Sequence, residues 1–141
     1  MEPIKQIMAF INQQTQPLQG DLKVLHSLLI EMLPDGPYWF MDGRNDENKI
    51  VSNPNLGYGK QILKYADGTT KEFYQIGISP NKTGISIYIL GLADNKHIKK
   101  TYDKKIGKAS VTTYCIKFKS INDINLELLK EAILFGINST K

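Results

Sequence analysis

The sequence predicts an α+β domain. It reads as a two-layer sandwich in which an antiparallel sheet of about five to six strands carries the N-terminal and C-terminal helices on one face. Two observations predict it. Between Gly57 and Gly91 lie three β-rich runs, Gln61–Ala66, Glu72–Ile78 and Ile85–Leu90. They are separated by Asp67-Gly68 and by Ser79-Pro80-Asn81-Lys82-Thr83-Gly84, both of turn composition, which is the pattern of an antiparallel meander. Helical spacing, in contrast, is confined to the stretches before and after these runs. Grouped antiparallel strands with segregated helices leave one sheet face for the helices and the other partly open. The 141 residues suit a single domain over 1–141, long enough to bury roughly two-thirds of the surface of its unfolded chain.

Taken in order, Pro3–Gln14 places Ile4, Ile7, Met8 and Ile11 at helical spacing, with Pro3 suited to the first turn. A second helix over Pro17–Leu33 carries the stripe Leu18, Leu22, Leu25 and Leu29, and Pro34-Asp35-Gly36-Pro37 ends it. Tyr38–Met41 reads as a short strand, Asp42–Asn48 as a polar turn, and Ile50-Val51 as the start of a return strand that stops at Asn53-Pro54. After the meander, Asp94 is placed to cap a helix over Lys96–Ile106 with Ile98, Tyr102 and Ile106 inward, closed by Gly107. Val111–Lys119 reads as the last strand, with Tyr114, Ile116 and Phe118 on one face and Thr113, Cys115, Lys117 and Lys119 on the other. A final helix over Ile124–Ile137 carries Leu128, Leu129, Ala132 and Ile133.

Composition narrows the function classes. No stretch approaches the ~18 apolar residues that span a bilayer, and neither terminus has a basic-then-apolar leader pattern. A single cysteine, Cys115, leaves no internal disulfide. The expectation is a cytoplasmic, reduced protein with no membrane association. The net charge of +4 comes from seventeen lysines and only Arg44. Scarcity of arginine, whose forked guanidinium reads phosphates and bases, argues against nucleic acid as a partner.

Short motifs support a family resemblance. Gly57-Tyr58-Gly59, Lys64-Tyr65-Ala66-Asp67-Gly68, Gly77-Ile78-Ser79-Pro80-Asn81-Lys82, Tyr88-Ile89, Ile106-Gly107-Lys108, Cys115 and Asp123-Ile124 fall in order and register. Over Gly57–Ile137 the chain resembles the YdhG-like domains, a bacterial family of unknown function. The resemblance implies an α+β sandwich similar in architecture to frataxin and, through one relative, an iron chaperone. Iron delivery of that kind needs clustered carboxylates, whereas the first two helices hold only Glu2, Asp21 and Glu31 beside Lys5 and Lys23. Where relatives often carry Gly-Lys-Ser before the cysteine, this chain has Thr112, Thr113 and Tyr114.

Three groups of residues are candidates for function. Cys115 shares a strand face with Lys117, and a nearby cation favours thiolate, yet His26 and His97 are both remote in sequence as a base. A buried structural cysteine is the alternative reading. The lysines at 96, 99, 100, 104, 105 and 108, interrupted by Asp103, form either an anion-attracting surface or a solvated helix face, with only Tyr102 available for stacking. The open sheet face gathers Tyr65, Tyr74, Tyr88 and Tyr114, with Lys64, Gln75 and Cys115 nearby, as a shallow ligand site, although the alternation of Tyr114 with Ile116 and Phe118 places some of these rings in the core. The sequence offers no zinc-type or calcium-loop ligand set and implies no cofactor. The function expected is a non-enzymatic binding or accessory domain for a small molecule or protein, with an iron chaperone or a Cys115 thiol enzyme as alternatives. Pairing of the Tyr38–Met41 edge with a second copy remains open.

Overall fold

The computed structural model describes residues 2–92, 94 and 96–139. Its helices are α1 (Pro3–Asn12), α2 (Leu18–Met32), α3 (His97–Tyr102) and α4 (Leu126–Ser139). Its strands are β1 (Tyr38–Met41), β2 (Asn55–Tyr58), β3 (Gln61–Lys64), β4 (Thr70–Phe73), β5 (Ile76–Asn81), β6 (Gly84–Ile89), β7 (Ser110–Val111) and β8 (Cys115–Phe118). Six of them form one antiparallel sheet in the order β1-β2-β5-β6-β8-β7, while β3 and β4 pair separately as a hairpin. The α+β class and the antiparallel sheet with helices from both ends of the chain are as the sequence predicts. Among the described residues, no helix is long and apolar enough to cross a membrane.

Strand alternation sorts the side chains. Leu56, Tyr58, Ile76, Ile78, Ile85, Ile87 and Ile89 are fully buried, as are Ile7, Ile11, Leu22, Leu25, Leu29, Leu129, Ala132 and Ile133 from the helices. Together they make one apolar core between the sheet and the helical layer. Gly136 lets α4 lie close to the sheet, since a Cβ there would meet Ile89 Cγ2 at 2.4 Å. Its carbonyl accepts a 2.7 Å hydrogen bond from Gln75 Nε2, so the helix is also tied to the chain entering β5.

Four sequence expectations are corrected. The Glu72–Ile78 run is not one strand: it divides between β4 and β5, with Tyr74 and Gln75 at the division. The return strand is Asn55–Tyr58 and starts where the sequence reading ended it. Ser79 and Pro80 belong to β5, and only Lys82-Thr83 turns into β6. Extending the β2–β5 register places Pro80 opposite Pro54, beyond the end of β2, where no ladder donor is needed; there the Ser79 hydroxyl donates to the Pro54 carbonyl at 2.9 Å. Finally, the Val111–Lys119 run folds back on itself, because Thr112–Tyr114 turn β7 into β8. Thr112 closes that turn by donating its N–H to the Cys115 carbonyl at 2.8 Å.

Candidate functional site

The face of the sheet turned away from the helices is built by a row in register: Trp39, Gly57, Gly77, Tyr88 and Cys115. Two adjacent glycines at its centre leave a bare strip of backbone. Tyr74, at the base of the β3–β4 hairpin, lays its ring on that strip and is 6% exposed. Phe73 packs on Tyr74 with ring centroids 4.3 Å apart and meets Trp39 edge-on at 6.0 Å. Burial, with Tyr88 and Cys115 nearby, pushes the Tyr74 hydroxyl up to about 12. The face is thus partly roofed by its own hairpin.

The sequence-predicted site residues separate accordingly. Tyr74, Tyr88 and Cys115 come together. Gln75 is buried on the helix side, bonded to Gly136 of α4, and does not share the face with Tyr74. Lys64 and Tyr65 sit on the exposed part of the hairpin, where the Tyr65 carbonyl accepts the Gly68 N–H in the turn. Tyr114, which its pattern leaves between the tyrosine surface and the core, is 51% exposed and stacks on Tyr88 at 6.2 Å between centroids.

At Cys115, burial pushes the thiol up, outweighing a hydrogen bond with Ser86 and the charge of Lys117 that act in the other direction. Of the two readings of Cys115, these surroundings favour the buried cysteine over the cation-activated thiolate, because desolvation outweighs the nearby charge. Neither histidine is placed as its base. Nδ1 of His26 lies 2.7 Å from the Tyr58 hydroxyl in the core, on the opposite side of the sheet. His97 stacks on Phe135 of α4 with centroids 3.8 Å apart. Among the described residues, no three of His, Cys, Asp and Glu gather as a metal-binding group. Asp21, one of the few acids of the first two helices, is buried and accepts the Ile121 N–H at 3.3 Å.

A broad concavity lies elsewhere, at the end of the sheet where β6 exits and β7 turns into β8. It measures about 580 Å³ and is walled by five lysines, at 96, 99, 100, 104 and 105, together with Thr101, Asp103 and Thr113. Its origin is local. Ile98, Tyr102 and Ile106 are buried in the core, so the intervening lysines must point outward. Lys99 is held by the Val111 carbonyl at 3.2 Å and by Asp103 at 4.0 Å. Among the described residues, Lys96, Lys100, Lys104 and Lys105 have no carboxylate within ion-pair distance.

The basic character continues past β7. A second concavity, about 570 Å³, is flanked by Lys108, Ser110, Lys117 and Lys119 with Asp123. A third, about 520 Å³, shares Lys119 and adds Lys82. The lysines were legible in sequence, but their arrangement around hollows was not, because Thr113 and Lys117 arrive from the β7–β8 hairpin. Comparison of the chain with protein-family models, curated proteins and solved structures found no match.

Proposed function

We propose that the chain is a non-enzymatic binding domain for an extended polyanion, held along the edge formed by α3 and the β7–β8 hairpin. The observation that carries this reading is the gathering of Lys96, Lys100, Lys104 and Lys105 around one concavity, where Asp103 also lines the wall but is paired with Lys99 and, among the described residues, with none of these four. Like charges gathered in this way repel one another and raise the local potential, and a bound anion relieves both effects. Ammonium groups on flexible stems act as point charges, so they suit a ligand that presents anionic groups in series. The continuation through Lys108, Lys117, Lys119 and Lys82 favours a linear ligand over a single small anion.

The other readings have less support. A thiol enzyme needs a base near Cys115, and His26 and His97 are both engaged elsewhere. An iron chaperone, the function that the YdhG-like resemblance implies, needs accessible clustered carboxylates, whereas Asp21 is committed to the Ile121 N–H.

The test is heparin chromatography of the full chain against two charge-matched variants. One carries Lys100→Glu, Lys104→Glu and Lys105→Glu; the other carries Lys23→Glu, Lys49→Glu and Lys71→Glu. The reading expects the first to elute at clearly lower salt than the second. Equal elution means that net charge alone sets retention, and the proposed edge is then wrong.

A further inference from the structure

We infer that the polyanion is a single-stranded nucleic acid, with its backbone along the lysine-lined edge and a base stacked on Tyr114. This inference rests on the polyanion reading and adds a ligand class to it. Charge by itself does not distinguish a nucleic acid from polyphosphate or an acidic protein segment. An aromatic platform does, because each base has a π-face that stacks on a side-chain ring regardless of sequence.

The sequence shows only Tyr102 beside the lysines, and that ring is 2% exposed. The fold supplies a different one. Thr113 walls the main concavity, and the next residue, Tyr114, is 51% exposed. Tyr114 is held firmly enough to serve. Its ring stacks on Tyr88 with an interplanar angle of 19°, and its carbonyl accepts the Ile89 N–H at 2.8 Å. Thr112 Oγ1 accepts the Cys115 N–H at 3.1 Å within the same turn. A ring already restrained by a neighbouring ring and a closed turn loses less conformational entropy when a base stacks on it.

The scarcity of arginine, which argues against nucleic acid in general, counts most against a duplex and leaves open a single strand held by lysine charge and ring stacking. Reading a duplex groove calls for a helix or ribbon entering it and for forked arginine contacts. The edge instead offers a short turn and lysines alone, and Arg44 lies in the loop after β1. A flexible strand can follow hollows in series while unstacking a base onto Tyr114.

The experiment measures binding of the full chain to a fluorescent oligothymidylate, with inorganic polyphosphate, polyglutamate and a duplex of equal length as competitors. Wild type, Tyr114→Ala and Tyr114→Phe are compared after circular dichroism shows that each is folded. The expected result is that Tyr114→Ala weakens oligothymidylate about tenfold or more, that Tyr114→Phe retains it, and that polyphosphate affinity is unchanged. If Tyr114→Ala leaves oligothymidylate and polyphosphate binding equally intact, the nucleic-acid inference fails while the polyanion reading stands. Tighter binding of the duplex, or of polyglutamate, also overturns it, the latter in favour of an acidic protein. Binding of none of these anions overturns both readings.

Discussion

The ring of Tyr74 occupies the space in which a side chain at Gly77 would stand: a Cβ at that glycine meets Tyr74 Cε1 at 2.6 Å. Gly57 stands in the same relation, with its Cβ position 2.8 Å from both Tyr74 Cβ and Trp39 Cβ. The two glycines are adjacent across β2 and β5, so together they form the bed on which the hairpin base rests. Gly77→Ala is expected to destabilise the domain by about 1–3 kcal/mol, the usual range for overpacking. Urea denaturation checks this. In a Tyr74→Ala background the same substitution should cost much less, and equal costs in the two backgrounds would break the proposed relationship.

His26 gives the fold a pH dependence with a definite sign. Burial holds its pKa below the usual 6.5, so the folded state favours the neutral ring paired with Tyr58. The unfolded chain binds a proton below its own pKa, near 6.5. The stabilisation is therefore full above that value and is lost as pH falls through the window between unfolded and folded pKa. The slope from this one group is at most about 1.4 kcal/mol per pH unit. Denaturation midpoints of wild type and His26→Leu between neutral and mildly acid pH should converge on acidification; parallel curves would remove His26 as the cause.

Gln61 is 5% exposed, and its Nε2 is buried without a hydrogen-bond partner among the described residues. A buried donor left unsatisfied costs about 1–3 kcal/mol, so Gln61→Met, similar in length and without that donor, should be neutral or stabilising. A large loss of stability in thermal unfolding would mean that the amide makes a contact on which the hairpin depends.

The Cys115 thiol is pushed up by burial, so it carries less thiolate near pH 8 than an unburied cysteine does. Iodoacetamide should modify the folded chain more slowly than the urea-unfolded chain. Equal or faster reaction when folded would show an activated cysteine and revive thiol chemistry on this face.

What could be read from the sequence depended on whether a pattern has one structural solution. The apolar spacing of Leu22, Leu25 and Leu29, and of Leu129 and Ile133, fits a core-facing helix, and all five are fully buried. Period-2 patterns were more ambiguous. Tyr114, Ile116 and Phe118 alternate as one strand face, but the chain turns at Thr112–Tyr114 without glycine or proline to mark it. The division at Tyr74-Gln75 lacks such a marker as well, so β4 and β5 read as continuous. β2 went unread because Asn55 and Gly57 are poor strand formers, although Gly57 is there to receive Tyr74. The candidate site was half legible: the lysines at 96, 99, 100, 104 and 105 stand out in the sequence, while the exposure of Tyr114, next in the chain to Thr113 of the concavity wall, follows from a turn the pattern concealed.

The most direct test of the polyanion account is the salt dependence of oligothymidylate binding. Each single-strand phosphate neutralised contributes about −0.7 to the slope of log K against log salt, so the four lysines of the main concavity without a carboxylate partner among the described residues predict about −3, and a strand that also reaches Lys108, Lys117, Lys119 and Lys82 a steeper slope. Replacing Lys100, Lys104 and Lys105 by alanine should make that slope shallower by about 2. A slope left unchanged by these substitutions would place the bound anion elsewhere on the molecule and contradict the assignment of the α3–β7–β8 edge.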